Sequence, residues 1–295
     1  CSWRGLIGEL RQSLAVAIQG VRTVVATANS HEYPHPALRL LSKLLAIHAN
    51  LRFAQGVDEE MAAQAEEAIA LGQAHGSREG EAFGYFVLGR AYQEFEKTAD
   101  AMALWQKAIM LAQTDQQSPT PSVMARDTER LAYMWLRGAA MAMEDYAGGR
   151  AYILRALATA QAMGHVRAEL ACLTNLAWND FVVGDYDAAQ QRFEQGFALA
   201  CTLDHRWAEM ATCSGLGEVL RRQGRYRQAL AWWARSLRIA AEYSAYDEAL
   251  LMASLLRLHS YLGDQTGAEA WRSRLFALLE QSRLPKDCQR QGLLA

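Results

Sequence analysis

Proline and cysteine are scarce in this chain, and long apolar runs are missing. Only 5 of its 295 residues are proline, so little in it forces a helix to break. No stretch approaches ~18 uninterrupted apolar residues, which excludes a spanning helix. The 5 cysteines (Cys1, Cys172, Cys201, Cys213, Cys288) form no C-x-x-C pair and are too few for a disulfide scaffold. They read as reduced, mostly buried thiols of a cytoplasmic protein, with Cys201 and Cys213 a buried pair flanking one turn. Charge of one sign is missing too. A net charge of −2 argues against a chain that coats nucleic acid, and neither nucleic acid nor a membrane is expected as a direct partner. An initiator Met is absent before Cys1, and no signal segment follows, so the chain reads as cut from something longer.

Catalytic signatures are missing as well. No strand–loop–helix carries a G-x-x-x-x-G-K-[ST] phosphate loop, and Gly148-Gly149 falls at a helix turn. The 7 histidines make no H-E-x-x-H motif or paired Cys/His spacing. His31 and His35 lie close on a Pro-containing stretch with no third ligand, and His165 and His205 occupy equivalent turns. No catalytic residue, metal or cofactor is expected in this chain.

What is present is helix former. Ala, Leu, Arg, Glu and Gln abound, β-branched clusters are rare, and 51% of residues are hydrophobic, ample for a core. An internal repeat organises them. Leu88, Leu136, Leu176, Leu216 and Leu255 are spaced 48, 40, 40 and 39 apart. Thirteen residues after each leucine stands a small residue: Ala101, Gly149, Ala189, Ala229, Ala268. Four further on, most copies place a bulky one (Trp105, Ile153, Phe193, Trp233). Ala108, Ala156, Gly196 and Ser236 then form a second small column. Gly184-Asp185, Gly224-Arg225 and Gly263-Asp264 recur at one phase, with Glu144-Asp145 a degenerate copy, as expected for a helix stop followed by a cap. Each repeat therefore predicts helix, tight turn, helix.

The residues Tyr85-x-x-Leu88-Gly89-x-x-Tyr92 with Ala101-x-x-x-Trp105 resemble the tetratricopeptide (TPR) signature. Cys213-x-x-Leu216-Gly217-x-x-Leu220 with Ala229-x-x-x-Trp233 is a second, weaker match. The period is 40 instead of about 34, and the closing proline is missing. The resemblance implies an all-α, right-handed superhelical solenoid of antiparallel helix pairs. Three segments are expected: an N-terminal helical segment at 1–36, about six repeats at 37–282, and a tail at 283–295. Residues 31–36 are expected to be a loop, 114–121 a polar insertion between repeats, and Leu284-Pro285 to lie past the end of the last helix.

In such an array the first helices line a groove. Counting from the leucine column places Asn50, Phe53, Phe83, Phe86, Arg90, Gln93, Glu94, Met134, Met141, Trp178 and Phe181 there. Glu218, Arg221, Arg222, Arg257 and Tyr261 follow in the later repeats. Arginine forks onto carboxylate or phosphate, and an exposed ring stacks on a ligand. Each position also has a plainer role: inter-helix core for Trp178, Phe181, Met134 and Met141, a solvated face for Arg221 and Arg222. The charge is asymmetric. Residues 56–100 carry ten acids against three bases, and residues 206–238 carry seven arginines against Glu209 and Glu218.

The long repeat is similar to the sensor arms of STAND-class signalling NTPases, the group that includes maltose-type transcriptional activators. That resemblance implies an upstream NTPase domain, an effector, and a peptide, protein or small-molecule inducer in the groove that controls activation and oligomerisation. The alternative is a freestanding TPR adaptor or peptide receptor. The carboxylate clamp of chaperone-binding TPRs is not matched, since Thr174 and Trp178 stand where its Lys and Asn would be.

Overall fold

The computed structural model describes residues 3–27, 34–53, 56–116 and 122–281. Thirteen helices hold nearly all of them, no strand occurs among them, and none of these helices is long and apolar enough to cross a membrane. The chain divides into two compact units, Cys1–His165 and Val166–Ala295. In the first, α1 (Trp3–Thr27) packs on α2 (Pro34–Arg52), which pairs with α3 (Glu59–His75). Two further hairpins follow: α4 (Arg78–Glu94) with α5 (Thr98–Gln116), and α6 (Val123–Ala142) with α7 (Tyr146–Ala162). The second unit contains α8 (Val166–Val182) with α9 (Tyr186–Thr202), α10 (Arg206–Arg222) with α11 (Tyr226–Tyr243), and α12 (Ala245–Tyr261) with α13 (Gln265–Gln281).

The sequence columns become the core. All five leucines are buried, as are Trp105, Ile153, Phe193, Trp233 and both small columns. Small residues let the two helices of a hairpin approach, and the bulky side chain fills the groove between them. Truncating such a buried aromatic typically costs about 3–5 kcal/mol. Between the helices, the eighth residue after each leucine adopts positive φ: Glu96 (59°), Glu144 (61°), Gly184 (86°), Gly224 (76°) and Gly263 (74°). The next helix is then capped by Asp145, Asp185 or Asp264, whose carboxylates accept from the backbone N–H of Gly148, Ala188 and Gly267 at 2.8, 3.1 and 2.9 Å.

A further column is polar. Glu81, Glu129, Glu169, Glu209 and Glu248 lie seven residues before each leucine, all buried or half-buried. In the first unit Gln73 donates to Glu81 (3.1 Å) and Tyr85 (2.9 Å), and Gln113 repeats this with Glu129 (2.7 Å) and Tyr133 (3.2 Å). In the second, Glu209 accepts from Arg206 at 2.8 Å and from Arg235 at 2.7 and 3.0 Å. Desolvation pushes the Glu209 carboxyl up, but these arginines outweigh it and leave it below the ordinary range.

Two expectations need correction. Helix α2 begins at Pro34, inside the 31–36 stretch expected as a loop. Proline is tolerated in a first turn because its missing N–H would be unpaired there anyway. Cys201 is exposed, so it forms no buried pair with Cys213. Burial pushes the Cys213 thiol up to about 12, which leaves it unreactive. Of the 114–121 insertion, α5 extends through Gln116, and 117–121 lie outside the described residues. So do Cys1, His31, Cys288, Leu284-Pro285 and the 283–295 tail.

Candidate functional site

In the second unit α10, α11 and α12 border one recess. Residues one helical turn apart along these helices meet in a cavity of about 680 Å³. Glu218, Arg221 and Arg222 line it from the end of α10, Tyr226 and Trp233 from α11, and Ser254, Arg257, Leu258 and Tyr261 from α12. Five of the sixteen expected groove residues therefore share one cavity: Glu218, Arg221, Arg222, Arg257 and Tyr261.

Its electrostatics are uneven. Arg221 grips Glu218 through two bonds, at 2.5 and 3.1 Å, and this holds its guanidinium above the ordinary value. Arg222 reaches the same carboxylate only at 3.6 Å and is half exposed, with its guanidinium 5.7 Å from the Phe181 ring. Arg257 is exposed and has no carboxylate in ion-pair reach among the described residues. Its side chain donates to Ser254 Oγ at 3.4 Å. Three arginines thus face one glutamate, and that glutamate is largely committed to Arg221. The Tyr226 hydroxyl donates to Tyr261 at 3.4 Å, which raises its pKa, while Tyr261 itself remains 73% exposed. A guanidinium pair beside two phenols can hold a carboxylate or phosphate through charge-assisted bonds.

A smaller cavity of about 210 Å³ adjoins it through Ser254. Trp178, Trp207, Met210, Leu250 and Leu251 make it mainly apolar, and Ala211, Ser214 and Asp247 also line it. Trp178 is half-buried here, edge-on to Phe181 (5.6 Å) and Phe193 (5.2 Å). It serves the core and the cavity at once.

Nine of the expected residues lie in the first unit, among them Phe86, Arg90, Glu94 and Met134. Arg90 is partly buried, its guanidinium 3.5 Å from the Phe53 ring centre and 5.0 Å from that of Trp135, and it donates to Asn50. Burial pushes it down to about 10 against the opposing field of Glu94. Phe86 is buried, with its ring centre 5.8 Å from the guanidinium. Helix α4 packs on α2, α3 and α5, and Phe86 stacks on Phe83 at 5.5 Å while its carbonyl accepts from Trp105. Glu94 is exposed at the helix end, and the thioether of Met134 accepts from Arg130 at 3.2 Å. Among the described residues no group of three or more His, Cys, Asp or Glu is placed to hold a metal ion.

Sequence reasoning missed Tyr226, Trp207, Leu250 and Ser254. Tyr226 carried a signal, since Tyr146 and Tyr186 precede it at the same turn position. Trp207 lies near the start of α10, outside the positions counted from the leucine column, whereas Leu250 stands five residues before Leu255, as Phe83 does before Leu88, and so occupies a counted position.

No protein-family model matches the chain, and no curated protein matches it by sequence. Solved structures do. BtubC (BKLC) from P. vanneervenii aligns with TM-score 0.65 and 17% identity over 80% of this chain and 91% of that one. The TPR-like repeats of a Podosopora anserina kinesin light chain align with TM-score 0.54 and 17% identity, covering 72% and 98%. The Rap conjugation gene regulator of plasmid pLS20, in complex with the Phr* peptide, aligns with TM-score 0.54 and 14% identity, covering 95% and 86%. The fold is TPR-like. At these identities the likeness concerns the fold alone.

Proposed function

We propose that this TPR-like chain is a binding module, not an enzyme, and that its ligand or partner seats on the face shared by α10 and α12. The supporting observation is the convergence of Arg222, Arg257 and Tyr261 on one cavity where three arginines meet a single, already engaged glutamate. Helix surfaces that are merely solvated scatter their charges, and this one gathers them around a recess. The finer reading follows the long repeat: a sensor arm of a STAND-type signalling protein, in which an inducer or protein in the groove controls activation and oligomerisation by an NTPase domain elsewhere in the same polypeptide. The coding sequence upstream of Cys1 tests it. A phosphate-binding loop there supports the sensor, and a start codon directly before Cys1 removes it.

A freestanding peptide receptor is the second reading. It is favoured by the likeness to the pLS20 Rap regulator, a protein solved with a peptide bound, over 95% of this chain. Both readings share a first test. The chain and its Trp178→Ala and Arg222→Ala variants are immobilised and exposed to the same cell extract, and retained molecules are compared by mass spectrometry. A ligand retained by the wild type and lost from both variants, at matched melting temperature, supports the groove. Identical retention by all three places recognition elsewhere.

A further inference from the structure

The two cavities of the second unit differ in chemistry and share Ser254. The mainly apolar one lies toward the starts of α10 and α12, and the cationic one toward their ends. Along α10 the span runs from Ala211 to Arg222, and along α12 from Leu250 to Arg257. At 1.5 Å per helical residue these spans are about 16 and 10 Å. An extended peptide covers such a distance in about three to five residues. Small residues line this path: Ala211 and Ser214 in the apolar cavity and Ser254 where the two meet, so a main chain can lie close to the helices. The ends differ in sign. Asp247 borders the apolar cavity and repels an acid there, whereas Arg222 and Arg257 attract one at the other end.

We propose that this face reads a peptide at two points: an acidic group held by Arg222 and Arg257, and an apolar side chain, about three to five residues away, held by Trp207, Trp178 and Leu250. The proposal rests on the groove reading above and adds the class of occupant, its direction and its spacing. The acid comes from a side-chain carboxylate or from the peptide's own C-terminus, since the guanidinium chemistry is common to both. Glu218 competes for the same arginines. Its removal frees Arg221 and brings Arg222 fully to the ligand.

Calorimetric titration of the full chain with synthetic peptides tests this. Each peptide carries one leucine and one acidic group separated by zero to seven glycines. One series ends in an amidated aspartate and a second in glycine with a free carboxylate. A third, neutral series ends in amidated asparagine. Affinity is expected to peak at about two to four intervening residues, and to exceed the neutral series about tenfold. The stronger of the two acidic series identifies the source of the carboxylate. Arg257→Ala and Trp207→Ala, both at exposed positions, are expected to lower affinity about tenfold each with unchanged melting temperature, and Glu218→Gln to raise it about threefold. Binding that falls in Arg257→Ala yet ignores spacer length overturns two-point recognition and leaves the cavity as a ligand site. Binding that ignores both, or no binding by any series, overturns both.

Discussion

The indole of Trp233 lies against Gly217: its Nε1 donates to the Ser214 carbonyl at 3.2 Å, and a Cβ at position 217 would stand 2.3 Å from the ring. Trp105 repeats the relationship with Gly89 and the Phe86 carbonyl, again at 3.2 Å. Where the bulky column holds Ile153 or Phe193, the residue after the leucine is Arg137 or Ala177, so glycine accompanies tryptophan within this one chain. Gly217→Ala is therefore expected to cost about 1–3 kcal/mol, because the buried, hydrogen-bonded ring has no room to yield. Gly138→Ala is the matched control. It lies inside α6 with nothing within 4 Å of an added Cβ, and should stabilise by about 0.5–1 kcal/mol. Scanning calorimetry of the two variants checks the opposite signs, and a destabilised Gly138→Ala would contradict this packing.

Glu96 and Glu144 hold the left-handed turn conformation that glycine supplies at Gly184, Gly224 and Gly263. A side chain there costs roughly 1 kcal/mol or more. Glu96→Gly and Glu144→Gly should each raise the melting temperature of the chain. The gain is moderated by the extra freedom glycine brings to the unfolded state. A fall in melting temperature for both would show that these glutamates make compensating contacts.

Much of the fold was legible because the repeat is written in side-chain size. Leu176, Ala189 and Phe193 recur as Leu216, Ala229 and Trp233 at one interval, and close packing permits few other arrangements. The cationic cavity was legible for a related reason: straight helices in constant register carry Arg222, Arg257 and Tyr261 to one place. Phe86 is buried, which the local pattern does not disclose, because burial at that position depends on how neighbouring hairpins stack on α4. The glutamate column escaped notice because acidic residues ordinarily signal solvent, and burial of Glu209 only makes sense once Arg235 on the next helix is seen beside it.

Glu209 gives the chain a pH signature. Its folded pKa is lowered, so the stability it contributes is present above the ordinary carboxylate value of about 4.3 and is lost as pH falls through the folded value. Glu209→Gln should cost about 1–2 kcal/mol at neutral pH, allowing for the roughly 40% exposure of both arginines. The difference from wild type should narrow from about pH 5 downward and close below pH 4. Thermal melts at several pH values follow it, and a difference independent of pH would mean the carboxylate's charge is not what matters.

The Tyr226–Tyr261 pair joins the last two hairpins, and the recess beneath it is walled by both. In a stack where each hairpin leans only on its neighbours, a molecule seated there acts as a rivet across that single seam. Prising the final hairpin away then requires the occupant to leave first, so the holding strength of the chain's last seam becomes a gauge of whether the recess is filled.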